Sequence, residues 1–184
     1  DEFFEDLARV YREEVSSLYA AGCRYIQFDD TNLAYLCDAQ QRAQAKERGD
    51  DPNQLPHAYA ALINAVIDGR PKDLTVAVHL CRGNMQSAWV AEGGYEPVAD
   101  ALFNELHVDA YFLEYDDERS GGFEPLRFVP GDKVVVLGLM TTKVPAIEPA
   151  ADLTRRIEKA ARYVPLERLC VSPQCGFSST VHGN

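Results

Sequence analysis

The spacing of apolar residues predicts an amphipathic helix near the start of the chain. Between residues 3 and 20, apolar side chains recur every three or four positions, and Gly22 follows as a stop signal. The polar stretch of residues 40–54 begins as a helix, but the sequence GDDPN at residues 49–53 breaks it. Helical spacing returns in three later segments: residues 57–68, 95–106 and 153–163.

Short runs of β-branched and aromatic residues alternate with these helices and predict five strands. The runs lie at residues 25–28, 74–80, 110–113, 134–137 and 169–171. Alternating strands and helices indicate βα units and a parallel sheet. Five units can form an open sheet, but the candidate ligands described below converge better in a closed (β/α)8 TIM barrel, which needs eight units. We therefore expect an α/β fold in which residues 1–184 form about five βα units of such a barrel, and a further segment or a second chain supplies the remainder.

The charge balance argues against nucleic acid as a partner. The chain has 29 acidic residues against 18 dispersed basic ones and a net charge of −11, whereas phosphate binding needs a basic surface. No stretch approaches the roughly 18 apolar residues of a membrane span. The first ten residues read as an acidic amphipathic helix and not as a signal peptide. A cytoplasmic protein that does not bind membranes is the simplest expectation.

The cysteines do not indicate a disulfide framework, because there are five of them in a chain of this length. Cys23, Cys37 and Cys170 have apolar or helical neighbours and are interpreted as small core residues. A reducing compartment would keep the other two, Cys81 and Cys175, available as thiolates.

Four potential metal ligands follow directly on predicted strands. They are His79 and Cys81 in VAVHLCRGN, Glu114 in DAYFLEYDD and Cys175 in VSPQCGFSS. Positions i and i+2 of a strand point to the same side, so His79 and Cys81 can bind one ion together. Imidazole, thiolate and carboxylate all suit Zn²⁺, and barrel enzymes build their sites at the carboxyl ends of the strands. The alternative is a set of buried thiols, a core histidine and a salt-bridged carboxylate.

The succession FDD, HLC, FLEYD and SPQCGF resembles the C-terminal catalytic barrel of cobalamin-independent methionine synthase and its shorter single-barrel relatives. This resemblance spans essentially the whole chain. It implies that residues 1–184 are the C-terminal part of a single TIM-barrel catalytic domain. It also implies a Zn²⁺ cofactor bound by His79, Cys81, Glu114 and Cys175, and it places Asp29 at the catalytic position that holds the amino group of homocysteine. The implied enzyme is a methyltransferase like 5-methyltetrahydropteroyltriglutamate–homocysteine methyltransferase, with a small thiol and a methyl donor as partners.

One segment departs from the family pattern. The methionine synthases have the sequence D-I-H-S after the seventh strand, in which the histidine donates a proton, whereas this chain has Gly138–Thr141 with Met140 at the position of the histidine. Demethylating a tertiary amine needs a protonated nitrogen. A donor whose leaving group needs no proton therefore fits this sequence better than methyltetrahydrofolate.

Other residues support narrower expectations. Asp30 either joins Asp29 in substrate binding or caps the following helix. The turn Arg82–Asn84 either binds an anion or needs glycine for its backbone geometry. The charged run Asp116–Arg119 is interpreted as a solvated loop, and Lys143 as a residue that could reach the mouth of the site. Three further histidines have no ligand-like neighbours in the sequence: His57, His107 and His182.

Several functions remain open at this level. The first is zinc-dependent methyl transfer to a homocysteine-like thiol, which forms methionine. A second uses another thiol or alkyl donor, as the epoxyalkane:coenzyme M transferases do. A third is a metal-free lyase barrel like the uroporphyrinogen decarboxylases, and a fourth is a non-catalytic fragment with structural zinc.

Overall fold

The computed structural model describes residues 2–178 and contains one sheet of five parallel strands. The strands follow the chain order, so each lies beside its neighbour in sequence. They are β1 (Tyr25–Asp30), β2 (Thr75–Leu80), β3 (Ala110–Glu114), β4 (Val134–Met140) and β5 (Leu169–Pro173). The predicted α/β fold with five parallel strands is confirmed. In the described part of the chain β1 and β5 are the two edges of the sheet, which does not close into a barrel.

The predicted helices are also present, with one exception. They are α1 (Glu2–Ala20), α3 (Ala39–Glu47), α4 (Leu55–Ile67) and α5 (Ala150–Ala160). A short helix that the pattern did not predict, α2 (Asn32–Tyr35), precedes α3. Helix α1 packs against α4. The Asp38 side chain accepts hydrogen bonds from the first backbone amides of α3 and so defines where this helix begins. No helix within residues 2–178 has the length and apolar character needed to cross a membrane.

The exception is the segment 95–106, which does not form a regular α-helix. Glu96–Val98 is a 3₁₀ turn and Ala101–Glu105 is a π-helical turn. Within the wider turn Phe103 is buried and packs edge-on against Tyr111 of β3, with the ring centroids 5.1 Å apart. The apolar spacing predicted the burial correctly, but it cannot distinguish a 3.6-residue turn from a wider one.

The core lies around β2, β3 and β4, whereas the edge strands are more exposed. Tyr25 of β1 is 48% exposed and Val171 of β5 is 42% exposed. Cys170 is exposed and Cys23 is half-buried, so the interpretation of these two residues as core cysteines is wrong, and it holds only for Cys37. The physical reason for Cys170 is that its strand has a neighbour on one side only.

Candidate metal centre

The register of the sheet brings the candidate ligands to one edge. His79 lies beside Asp29 in the β1–β2 pair, and Glu114 lies beside Gly138 in the β3–β4 pair. The β4–β5 register shifts between Gly138 and Met140, just before the turn that carries Cys175. A side chain at Gly138 would meet the Gln174 backbone at 2.8 Å and the Leu113 carbonyl at 2.9 Å. Glycine is therefore needed for the strands to approach each other at this edge.

Three of the four predicted ligands lie together. One ligand atom each from His79, Cys81 and Cys175 lies within 4.8 Å of the other two. The two sulfurs are 3.8 Å apart, far longer than the disulfide bond length of about 2.05 Å. A tetrahedral Zn²⁺ about 2.3 Å from each sulfur would separate them by about 3.8 Å. This pair of thiols therefore fits a shared zinc ion without rearrangement.

Glu114 lies at the border of this cluster. Its side chain is fully buried, and its Oε1 is 3.5 Å from His79 Nε2, close to the roughly 3.4 Å that two such ligands of one tetrahedral zinc would show. The same oxygen accepts a hydrogen bond from the Arg82 backbone amide at 3.2 Å. Glu114 is not among the three mutually close ligands. Glu114 Oε2 is buried without a hydrogen-bond partner among the described residues. An unpaired buried carboxylate oxygen is costly, and a cation at this position would satisfy it.

Asp29 contacts the histidine of the cluster. Its Oδ1 lies 2.8 Å from His79 Nδ1, and because a carboxylate only accepts, Nδ1 is the donor. The other ring nitrogen, Nε2, lies 3.1 Å from the Gln174 carbonyl oxygen, on the side of the Cys175 turn. The carboxylate thus fixes the ring orientation and leaves Nε2 for a metal, as carboxylate partners of metal-binding histidines do.

Asp30 has a different environment. Its Oδ1 accepts a hydrogen bond from the Leu33 backbone amide at 2.7 Å and closes the first turn of α2. Burial raises the pKa of Asp30 to about 6, with a smaller contribution from the nearby Asp29 charge. The structure therefore favours the capping alternative and does not bring Asp30 into the cluster.

In the metal-free cluster, His79 and Cys81 hold their protons at neutral pH, whereas Cys175 loses its proton. Burial lowers the pKa of His79, but hydrogen bonds to Asp29 and Glu114 outweigh it and raise the pKa to about 10. The two thiols share a hydrogen bond. It lowers the pKa of Cys175 to about 6 and raises the pKa of Cys81, so the shared proton is held on Cys81 at neutral pH. A metal ion would displace the protons on His79 and Cys81.

Sequence reasoning missed a buried polar network behind the cluster. The interpretation of Asp116–Arg119 as a solvated loop is wrong for its two end residues, whose side chains are 0% and 6% exposed. Arg119 Nη2 donates to both oxygens of Asp116, at 2.9 and 3.0 Å. The Thr141 hydroxyl donates to Asp116 at 3.0 Å. A run of charges has the same sequence pattern whether it is solvated or paired, so only its tertiary partners reveal the difference.

The turn after β2 contacts the ammonium group of Lys143. Gly83 has a φ of +98°, and a side chain there would lie 2.8 Å from Val90 Cγ2, so this position requires glycine. Its carbonyl oxygen accepts a hydrogen bond from Lys143 at 2.8 Å. The alternative that explained the glycine by backbone geometry is therefore favoured, and Lys143 does reach this turn.

The structure also gives His57 a partner that its sequence neighbours do not suggest. His57 Nδ1 lies 2.8 Å from Glu105 Oε1, and Asp100 completes a partly exposed group. His182 lies outside the described residues.

The sheet and its cluster define an α/β protein with a candidate thiolate metal centre at the carboxyl ends of parallel strands. By sequence, residues 1–182 match the family described as the cobalamin-independent synthase, catalytic domain. The chain belongs to this family, which confirms the resemblance seen in its motifs. Members of the family are methyltransferases.

Individual relatives agree with this assignment. YxjH of Bacillus subtilis (strain 168), described as uncharacterized, is 48% identical over 185 residues, an alignment that covers 100% of this chain and 49% of YxjH. The crystal structure of the putative vitamin-B12 independent methionine synthase from Listeria monocytogenes is similar with a TM-score of 0.77 and 42% identity, covering 96% of this chain and 49% of that chain. A B12-independent methionine synthase from Shewanella sp. W3-18-1, in complex with selenomethionine, shares the fold with a TM-score of 0.70 at 24% identity, covering 97% and 49%. The chain spans about half the length of the curated relatives it matches.

Proposed function

We propose that this chain provides the zinc site of a methyltransferase that methylates a homocysteine-like thiol. The proposed ligands are His79, Cys81, Cys175 and Glu114. The observation that carries the proposal is the 3.8 Å separation of the two sulfurs, with the imidazole beside them. Membership of the cobalamin-independent synthase family supports it.

The ligand set suits activation of a thiol. Zn²⁺ held there would lower the pKa of a bound thiol enough to ionise it at neutral pH. Two thiolates and a carboxylate make the centre electron-rich, which preserves the nucleophilicity of the substrate sulfur. Glu114 is the ligand expected to withdraw when substrate binds, because its Oε1 already accepts a hydrogen bond from the Arg82 amide.

Asp29 is proposed to orient the amino group of the acceptor. Its side chain is 66% exposed even while one oxygen is hydrogen bonded to His79. A carboxylate with four lone-pair positions can accept from both the imidazole and an ammonium group. The acceptor would then lie beside the cluster, with its sulfur directed at the metal position. In the methyl transfer a sulfur–carbon bond forms, the bond from carbon to the donor breaks, and the donor keeps the bonding electron pair.

The remaining strands of the barrel are proposed to come from the rest of the same protein or from a second chain. The exposed edges β1 and β5 support this, because unpaired strand edges are normally covered in folded proteins. Further contacts to the methyl donor would come from that part.

One observation favours a second candidate, transfer from a donor other than methyltetrahydrofolate or to another thiol. Met140 lies at the end of β4, where its backbone carbonyl accepts from the Gln174 amide at 2.7 Å. This places it one residue from the Cys175 turn, but its thioether has no proton to donate. A leaving group that must be protonated would find no donor at this residue.

Elemental analysis of the complete protein tests the metal site. We expect one zinc per chain in the wild type and loss of zinc in Cys81→Ser. The exposed Cys170→Ser is the matched control and should keep its zinc. Undiminished zinc in a folded Cys81→Ser protein would refute the ligand assignment.

An assay with homocysteine as acceptor then tests the reaction. We expect methylcobalamin to be a better donor than methyltetrahydrofolate. Efficient turnover of methyltetrahydrofolate would contradict the interpretation of Met140, and no thiol alkylation by the zinc-loaded protein with any donor would contradict the proposed function.

A further inference from the structure

The two candidate thiol ligands are carried by turns that the sheet does not connect directly. We call residues 81–84 and 175–176 the thiol turns. They follow β2 and β5, which are separated in the sheet by β3 and β4. The backbone ladder therefore does not by itself determine how far Cys81 lies from Cys175. Side-chain contacts across the strand ends must help to do so.

Lys143 and Asn84 form such a connection. Lys143, from the loop after β4, donates from Nζ to the Gly83 carbonyl oxygen at 2.8 Å and to Asn84 Oδ1 at 2.7 Å. Asn84 Nδ2 in turn donates to the Gly176 carbonyl oxygen at 2.8 Å. One ammonium group and one amide thus join the loop after β4 to both thiol turns.

Two further contacts join these regions in the described residues: the hydrogen bond from His79 Nε2 to the Gln174 carbonyl oxygen and the hydrogen bond between the two thiols. Both involve proposed ligand atoms. Metal binding would replace both bonds, because a ring nitrogen or a thiolate that coordinates a metal has no proton to donate. The Lys143–Asn84 connection uses no proposed ligand atom. It can therefore persist when the metal is bound.

Lys143 is itself firmly anchored. Its backbone amide donates to the Thr141 hydroxyl oxygen at 3.1 Å, and that hydroxyl donates to Asp116 Oδ2 at 3.0 Å. The Thr141 amide donates to Glu148 Oε1 at 2.6 Å. These partly buried contacts join the end of β3 to the loop after β4 and so restrain the backbone that carries Lys143.

The charge of Lys143 also suits this position. Burial lowers the pKa of its ammonium group, whereas attraction to Glu114 and Cys175 opposes that shift. The ammonium group therefore lies in the field of two proposed ligands, both of which are anionic when they bind a metal.

We propose that Lys143 is a positioning residue that acts through Asn84 to hold Cys81 and Cys175 at metal-binding distance. This inference rests on the proposed zinc site. Lys143 contacts no ligand atom of the zinc site, but through Asn84 it helps to determine the distance between the two sulfurs.

Zinc affinity in the complete protein provides the first test. We expect Lys143→Met and Asn84→Ala each to weaken zinc binding by about 10- to 100-fold in competition with a chromophoric chelator, the usual range for groups that orient metal ligands. Lys46→Met, an exposed lysine on α3, is the matched control and should bind as the wild type does. Because the two residues act as one unit, the double variant should lose no more zinc affinity than the single variant with the larger loss. Unchanged affinity in both single variants, or losses that add in the double variant, would overturn the inference.

A second test does not depend on zinc. In metal-free protein, glutathione disulfide should oxidise the Cys81 and Cys175 thiols to a disulfide, with formation of two molecules of glutathione. Peptide mapping by mass spectrometry identifies the bond. We expect slower formation in Lys143→Met and a rate nearer the wild type in Lys143→Arg, which keeps the charge and donors. Equal rates in wild type and Lys143→Met would overturn the inference. A wild-type protein that forms the disulfide but binds no zinc would instead contradict the proposed function. In that case the effect of Lys143→Met on the disulfide rate would still decide whether Lys143 is a positioning residue. If Lys143→Met does not fold, Lys143→Gln replaces it.

Discussion

Substitutions of Asp29 can separate its contact with His79 from its proposed contact with substrate. The Oδ1–Nδ1 hydrogen bond of 2.8 Å orients the imidazole, and Asp29→Ala removes it. Loss of such a partner typically lowers metal affinity by about 10- to 100-fold, or about 1.4 to 2.7 kcal/mol. Asp29→Asn keeps an acceptor oxygen but removes the charge. Because the Asp29 side chain is 66% exposed, the charge is screened by solvent, and we expect Asn to preserve zinc affinity within a few-fold.

The two substitutions should differ in a second property. Both remove the negative charge that would attract an ammonium group, so both should weaken homocysteine binding to the zinc-loaded protein. Zinc affinity is measured by chelator competition, and the tautomer of His79 by nitrogen-15 NMR. Asp68→Ala, an exposed residue after α4, controls for loss of an acidic side chain. Wild-type zinc affinity in Asp29→Ala would show that the hydrogen bond does not orient the ligand. Wild-type homocysteine binding in Asp29→Asn would refute the role in substrate binding.

Two further predictions concern protons. At about pH 7.5 the metal-free protein should hold His79 as an imidazolium, because its pKa is raised to about 10, and Cys81 as a thiol. Zinc binding should therefore release about two protons, one from His79 Nε2 and one from Cys81. Calorimetry in buffers of different ionisation enthalpy measures the number of protons released. Zinc affinity should also fall as the pH is lowered. Release of nearly zero protons would contradict the assignment of His79 and Cys81 as ligands. The raised pKa of Asp30, about 6 against 3.8, means that its folded state binds the proton more tightly, so its contribution to stability falls between about pH 4 and 6 as the pH rises. Asp30→Asn keeps the acceptor for Leu33 and should stabilise the protein by up to about 3 kcal/mol at pH 7 to 8 and little near pH 4. Denaturant unfolding at both pH values decides this, and a loss of stability at neutral pH would show that the negative charge is needed there.

The strands were predictable because their signals are local. Runs of β-branched and aromatic residues marked all five, and each candidate ligand lies in or shortly after such a run. A parallel sheet carries the carboxyl ends of its strands to one edge, so the positions of His79, Cys81 and Glu114 predicted that they would converge. His79 and Cys81 do so, whereas Glu114 lies at the border of the cluster. The types of the ligands and the resemblance of the motifs to a known family both led to the expectation that the metal is zinc.

Tertiary structure decided the features that depend on distances between remote residues. Cys81 and Cys175 are 94 positions apart, and no pattern in the chain states that their sulfurs lie 3.8 Å apart. The burial of Asp116 with Arg119 and the reach of Lys143 to Asn84 depend in the same way on which loops meet at the edge of the sheet. Local sequence determines the direction in which a side chain leaves the backbone, whereas the partner it finds there is determined by packing of the whole sheet.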